Sequence, residues 1–193
     1  MQSESRDRLR APFLAASAAA VLVASAACSD DPFAFDWNDA PDTVQLYSLA
    51  RPELNLVNAF NFLQGSPVLV EAPQATGSWD VAVDTRAGEI VLLPPGALNV
   101  VGAAKIAPLE GMTLDDVTRA PADTLVYIGD KPVPVRMGTI YVVRTNRQRG
   151  AFGRLCNYYA KLEAVTIDVA GGTLTFREVT NPVCNDRDLI PPR

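Results

Sequence analysis

The 15 prolines and 12 glycines of this 193-residue chain break it into short apolar segments, which leaves little room for a long helix. Segments rich in Val, Ile, Thr and aromatics, several of them alternating, are predicted as strands at 43–49, 57–63, 67–71, 79–84, 89–93, 124–128, 139–145, 158–168 and 173–179. Residues 84–88 (DTRAG) and 130–132 (DKP) predict turns between them. Two stretches favour helix. Residues 96–107 are Ala-rich but interrupted by Gly102, and 113–120 begin with Thr113 and Asp116 in a capping-box pattern that Pro121 closes. With 48% apolar and 20% charged residues, the expectation is one globular domain, mostly β, with one or two short helices.

Ala170-Gly171-Gly172 separates the last two strands and suits a tight turn that needs positive φ. If Val169 pairs with Gly172, partner numbers sum to 341, and Cys156 falls opposite residue 185, one place from Cys184. A bulge, or a loop at the strand end, then brings Cys156 and Cys184 into bridging range. Two buried free thiols are the alternative, and the absence of C-x-x-C argues against a redox pair.

The N-terminus speaks to compartment. Arg6, Arg8 and Arg10 precede an apolar run at 12–24, too short to span a bilayer and suited to a signal-peptide core. Ser25-Ala26-Ala27-Cys28 resembles a bacterial lipobox with Ser25 in place of the usual Leu or Val, so Cys28 is the candidate lipidation site. Cleavage by an ordinary signal peptidase at the Ala24-x-Ala26 pattern and a buried N-terminal helix are the alternatives. Lipidating Cys28 removes the odd cysteine of three and leaves a pair, as an oxidising envelope compartment favours. Residues 29–43 carry five Asp and two Pro and read as a solvated tether; they lack the D-x-D-x-D-G spacing of a calcium loop. The expected organisation is a signal peptide at 1–27, an acidic tether at 28–43 and a β-rich domain at 44–193.

Charge and chemistry narrow the function. Without residues 1–27 the chain holds 14 basic and 20 acidic residues, but 131–193 alone holds 10 basic and 5 acidic. The overall sign and export disfavour nucleic acid as a partner. There is no histidine, which removes Ser-His-Asp and Cys-His catalysis and His-based zinc sites. Phosphate-binding glycine loops and G-x-S-x-G are absent too. Asp80 and Asp84, and Asp115 and Asp116, are read as solvated surface acids, so no enzyme activity is expected. Trp79, Val81 and Val83 are expected on one buried face, and Tyr158 and Tyr159 on opposite faces. Residues 144–154 concentrate Arg144, Arg147, Arg149 and Arg154 around Phe152. Guanidinium forks suit carboxylate or phosphate, and an aromatic among them suits a planar ligand; a solvated hairpin loop is the plainer alternative.

The order of motifs resembles the HmuY-like family of haem-binding lipoproteins. The motifs are WDVAV at 79–83, LDDVTRAPAD at 114–123, YVVRT at 141–145 and YAKL at 159–162, over about residues 75–180. The resemblance implies an antiparallel β-sandwich-like domain on the outer membrane or cell surface, with haem iron held by side chains such as paired histidines. This chain supplies no histidine, so no ligand carries over; Met137, Tyr158 and Tyr159 are the side chains that remain for iron. No cofactor is otherwise expected. The expectation is a lipid-anchored, non-enzymatic binding module of the bacterial cell envelope for a planar or anionic small molecule. Its candidate residues are Arg144, Arg147, Arg149, Phe152, Arg154, Tyr159 and Met137. The alternative is an envelope structural or protein-interaction lipoprotein with no small-molecule ligand.

Overall fold

The computed structural model describes Trp37 and residues 40–72, 75–150 and 153–192. Cys28, the segment 1–27, most of the tether and Phe152 lie outside the described residues. Twelve strands follow one another among them: β1 (Asp42–Tyr47), β2 (Ala59–Asn61), β3 (Ser66–Val68), β4 (Val81–Arg86), β5 (Glu89–Leu93), β6 (Lys105–Glu110), β7 (Val133–Pro134), β8 (Thr139–Arg144), β9 (Gln148–Arg149), β10 (Leu155–Cys156), β11 (Tyr159–Asp168) and β12 (Thr173–Asn181). They form a mostly β fold of two five-stranded antiparallel sheets, ordered β1-β12-β11-β8-β6 and β3-β2-β4-β5-β7, plus the two-stranded ribbon β9-β10.

Alternation along the strands builds the sandwich. Leu46, Tyr141, Val143, Leu162, Leu174 and Phe176 of the first sheet meet Phe60, Val81, Val83, Ile90 and Leu92 of the second in one buried cluster. The outer faces are also apolar and are covered by irregular chain. Ile140, Val142 and Val179 lie under Leu114, Val117, Ala120 and Leu189. Ala59, Ala82, Val91 and Leu93 lie under Ala75, Trp79 and Leu98. Trp79 therefore does not share a face with Val81 and Val83: the strand begins at Val81, and the turn before it carries the indole to the outer side.

Both helix expectations fail for identifiable reasons. In 96–107 only Pro95–Leu98 turns, as a short 3₁₀ segment that ends in Asn99 at φ 57°, and Lys105–Glu110 pairs with β8 as a strand. A Cβ on Gly102 would lie 2.6 Å from a Pro95 carbon, so this glycine permits a close backbone approach instead of merely weakening a helix. In 113–120 the capping contacts do form: Thr113 Oγ1 donates to Asp116 Oδ2 at 2.7 Å, and Asp116 N to Thr113 Oγ1 at 3.3 Å. No helix follows, because the carbonyls of Leu114 and Val117 accept from Lys161 Nζ at 2.8 and 3.0 Å. The next backbone groups pair with the C-terminal segment, Ala120 N to Arg187 O and Leu189 N to Thr118 O, both 2.8 Å. Thr124–Val126, expected as strand, is a 3₁₀ turn capped by Asp123.

The final hairpin carries the cysteines. Next to the turn, Asp168 pairs with Thr173 and Thr166 with Thr175, in the register expected from Gly171-Gly172. A bulge between Ala164 and Thr166 shifts the pairing by one, so that Tyr159 faces Asn181. Continued outward, that register sets Cys156 against Cys184. They are joined as a disulfide with Cα atoms 5.0 Å apart and a sequence separation of 28. Closing a loop of this length is worth about 3–4 kcal/mol on the chain-entropy estimate. The double variant Cys156→Ser/Cys184→Ser is expected to lower the melting temperature by roughly 10 °C relative to the oxidised protein in a scanning calorimetry comparison. Wild-type protein treated with reductant is expected to match the variant.

Candidate functional site

Register places five strand ends together. Asp42 of β1 faces Glu178 near the end of β12, while Tyr159 faces both Asn181 and Arg144, and Lys105 also faces Arg144. This is the end at which the chain enters the first sheet, and the ribbon β9-β10 extends from it. Arg147, Arg149 and Arg154 are exposed there, and Tyr159 and Arg144 are half-buried. The ribbon is narrow and firmly held. Gly150 N donates to Arg154 O at 2.8 Å, and a Cβ on Gly150 would sit 2.4 Å from the Cys156 sulfur, so only glycine fits against the disulfide. Asn185 completes the clamp: its Oδ1 accepts from Asn157 N at 2.9 Å, and its backbone N–H donates to Asn157 O at 2.9 Å. Asn157 Nδ2 in turn donates to Thr145 O at 2.8 Å.

Met137 sits elsewhere. It lies in the turn before β8, and Arg144 ends that strand, so about 17 Å of strand separates their ends. The fold thus gathers Arg144, Arg147, Arg149, Arg154 and Tyr159 at one end and leaves Met137 at the other; Met137 and Tyr159 do not form a joint iron site. Tyr158, the other candidate, is buried. At Met137's end the turns between strands shape two shallow recesses. One, of about 330 Å³, is lined by Glu89, Ile90, Val135, Arg136, Met137, Ile167 and Val169. Its neighbour, of about 390 Å³, shares Val169 and includes Ser48, Arg51, Glu53 and Gly171. Arg136–Glu89 (2.9 Å) and Arg51–Glu53 ion pairs stand on these rims, and Arg51 also donates to Gly171 O at 3.0 Å.

Asp80 and Asp84 are not surface acids. Asp80 is 1% exposed, and its carboxylate accepts from Phe62 N (3.0 Å) and Asn146 N (2.7 Å). Asn146 then donates to Trp79 O at 2.6 Å and accepts from Ala103 N and Ala104 N at 2.7 and 3.0 Å. Asp84 is buried against Ser48 Oγ and paired with Arg86 at 2.9 Å. Each carboxylate is occupied with structural partners. Asp115 and Asp116 are exposed, as expected. Among the described residues no group of three or more Cys, Asp or Glu is arranged to hold a metal ion, and no helix is long and apolar enough to cross a membrane.

Sequence patterns did not expose Glu178. It continues the inward row of Leu174 and Phe176, is 4% exposed, and accepts from Thr180 Oγ1 at 2.7 Å. Burial, with Asp42 opposite, pushes its carboxyl up to about 7. Burial likewise pushes Asp80 up to about 6 against two stabilising backbone N–H groups. Burial, and secondarily Tyr159, raises the Tyr127 phenol, while Arg144 and Arg187 act in the opposite direction.

Two outcomes are expected. Asn146→Ala strands several buried backbone groups and is expected to cost about 3 kcal/mol in denaturant unfolding. Asp80 and Glu178 hold protons more tightly folded than unfolded, so their stabilising contribution is full below about pH 4 and is lost as pH rises through about 6 and about 7. Each is worth on the order of 3 kcal/mol at most. The melting temperature is expected to fall between pH 5 and 8, and Glu178→Gln to flatten the upper part of that fall.

Compared with known proteins, the chain matches no family model and no curated protein sequence.

Proposed function

We propose that this protein is an exported, lipid-anchored module of the bacterial cell envelope that acts by binding and not by catalysis. In this reading Cys28 carries the acyl chains, the acidic segment after it tethers the domain to the membrane, and the β-sandwich holds a small planar or anionic ligand. The observation that carries it is the two-ended layout of the domain: the chain enters at Asp42, and the recess around Met137 and Val169 opens at the opposite end. A tethered domain that offers a concavity away from its tether suits capture of a ligand.

The recess is better suited to a small ligand than the arginine ribbon. Ile90, Val135, Met137 and Ile167 give it apolar walls, and Arg136 gives its rim a guanidinium. The ribbon arginines stand in solvent. The resemblance of the motif order to that of haem-binding lipoproteins supports a porphyrin-like ligand. With no histidine in the chain, iron ligation would fall to the Met137 sulfur at this end.

A second reading, in which the same end meets another envelope protein, is favoured by the exposure of Met137 (60%), Val165 (46%) and Val169 (41%).

Titrating the domain with haemin and with iron-free protoporphyrin IX, followed by Soret absorbance, tests the first reading. A saturable change with both, weakened at least tenfold by Val169→Asp and untouched by Arg149→Gln, is expected. A change with haemin alone that Met137→Ala abolishes would identify iron ligation. Flat titrations with both would overturn the small-ligand reading in favour of the second.

A further inference from the structure

A ligand in the far recess leaves the three ribbon arginines without a role. We propose that Arg147, Arg149 and Arg154 seat the domain on anionic lipid headgroups of the membrane that holds its anchor. This rests on lipid anchoring at Cys28.

Topology supplies the first support. Asp42, Asn181, Tyr159, Arg144 and Lys105 end their strands on the same side of the first sheet, and the ribbon projects from that side. The 14 residues from Cys28 to Asp42 reach at most about 50 Å when fully extended. That length is enough to let this end, at which the chain enters the domain, rest on the membrane that holds Cys28.

Charge supplies the second. Ion pairs engage Arg51, Arg86, Arg119, Arg136 and Arg177, but among the described residues none engages Arg147, Arg149 or Arg154. The acidic groups at the same end are Asp42, the buried Glu178, Asp186, which Asn181 holds at 3.3 Å, and Asp188, and the tether that enters there carries Asp30, Asp31, Asp36 and Asp39. Lys105 and Arg144 add to the cationic side.

Rigidity and shape supply the third. The disulfide and the Asn157–Asn185 contacts fix the base of the ribbon, so its backbone there has little freedom to lose on docking. Leu155 pairs with Arg149 across the ribbon and is 58% exposed, which sets an apolar side chain beside the cations as interfacial segments do. Each arginine near an anionic surface contributes roughly fivefold in partitioning, so three give on the order of 100-fold at low salt.

The test uses residues 28–193 carrying Cys28→Ser, so that no acyl chain contributes. Vesicles of phosphatidylcholine alone and with about one-third phosphatidylglycerol are sedimented at low and high sodium chloride. Expected is at least tenfold stronger binding to the anionic vesicles, lost at high salt. The variant Arg147→Gln/Arg149→Gln/Arg154→Gln is expected to fall to the level of neutral vesicles. Arg177→Gln, mid-strand on β12 opposite Glu163, is expected to bind as wild type, and Arg149→Lys to retain binding. Circular dichroism checks that every variant is folded.

Equal binding to both vesicles, salt-independent binding, or a triple variant that binds as wild type overturns the proposal. So does competition by free glycerol phosphate at matched ionic strength, which would mark a soluble-anion site. The intact mass of the full chain made in bacteria tests the anchor separately. An unmodified Cys28 with salt-sensitive vesicle binding would remove the anchor and leave peripheral docking. A lipidated Cys28 with flat vesicle binding would do the reverse.

Discussion

One buried carboxylate fastens the two sheets at the end from which the ribbon leaves. Asp80 stands just before β4 of the second sheet, and its oxygens accept from Phe62 N, just past the end of β2 in that sheet, and from Asn146 N in the loop after β8 of the first. Asn146 carries the connection on to Trp79 and to Ala103 and Ala104 ahead of β6. Five hydrogen bonds through two side chains thus satisfy backbone groups from four segments that no ladder could reach. In a low-dielectric site such a network is all-or-nothing: complete, it makes one arrangement of the loops unique, and broken at any member it leaves polar groups stranded. The ribbon starts directly from Asn146, so the node fixes where it departs, while the disulfide and the Asn157–Asn185 contacts hold its other strand.

The longer strands are legible in the sequence, because a strand writes its own alternation. Residues 89–93, 139–145, 158–168 and 173–179 became strands within a residue or two of expectation. The two failed helices share a cause. At 96–107 an alanine-rich composition favoured helix, yet β8 had an open edge and Lys105–Glu110 filled it. At 113–120 the local capping chemistry was correct and formed, but the Lys161 ammonium and the C-terminal segment claimed the backbone partners that a helix needs. Local propensity lost to partners distant in sequence in both cases.

The site residues divide along the same line. That Arg147, Arg149 and Arg154 are exposed follows from their loop composition. That Met137 lies a whole strand away from Tyr159 follows from the direction of β8, which a motif does not reveal. Asp80 and Glu178 were invisible as buried acids, because a carboxylate at an inward position is indistinguishable in sequence from one at a turn. Asp80 differs only in having Asn146 to meet it, 66 residues later.

The bulge between Ala164 and Thr166 has a consequence for how the chain matures. Without it the turn register would run unchanged to the open end of the hairpin and bring Asn185, not Cys184, opposite Cys156. The extra residue acts as a vernier between the turn and the sulfurs, some ten residues apart along β11. A hairpin zipped one step out of phase would present its thiols to the wrong neighbours. The disulfide therefore matches the shifted register and not the register set by the turn, so bulge and bridge hold the hairpin in the same phase.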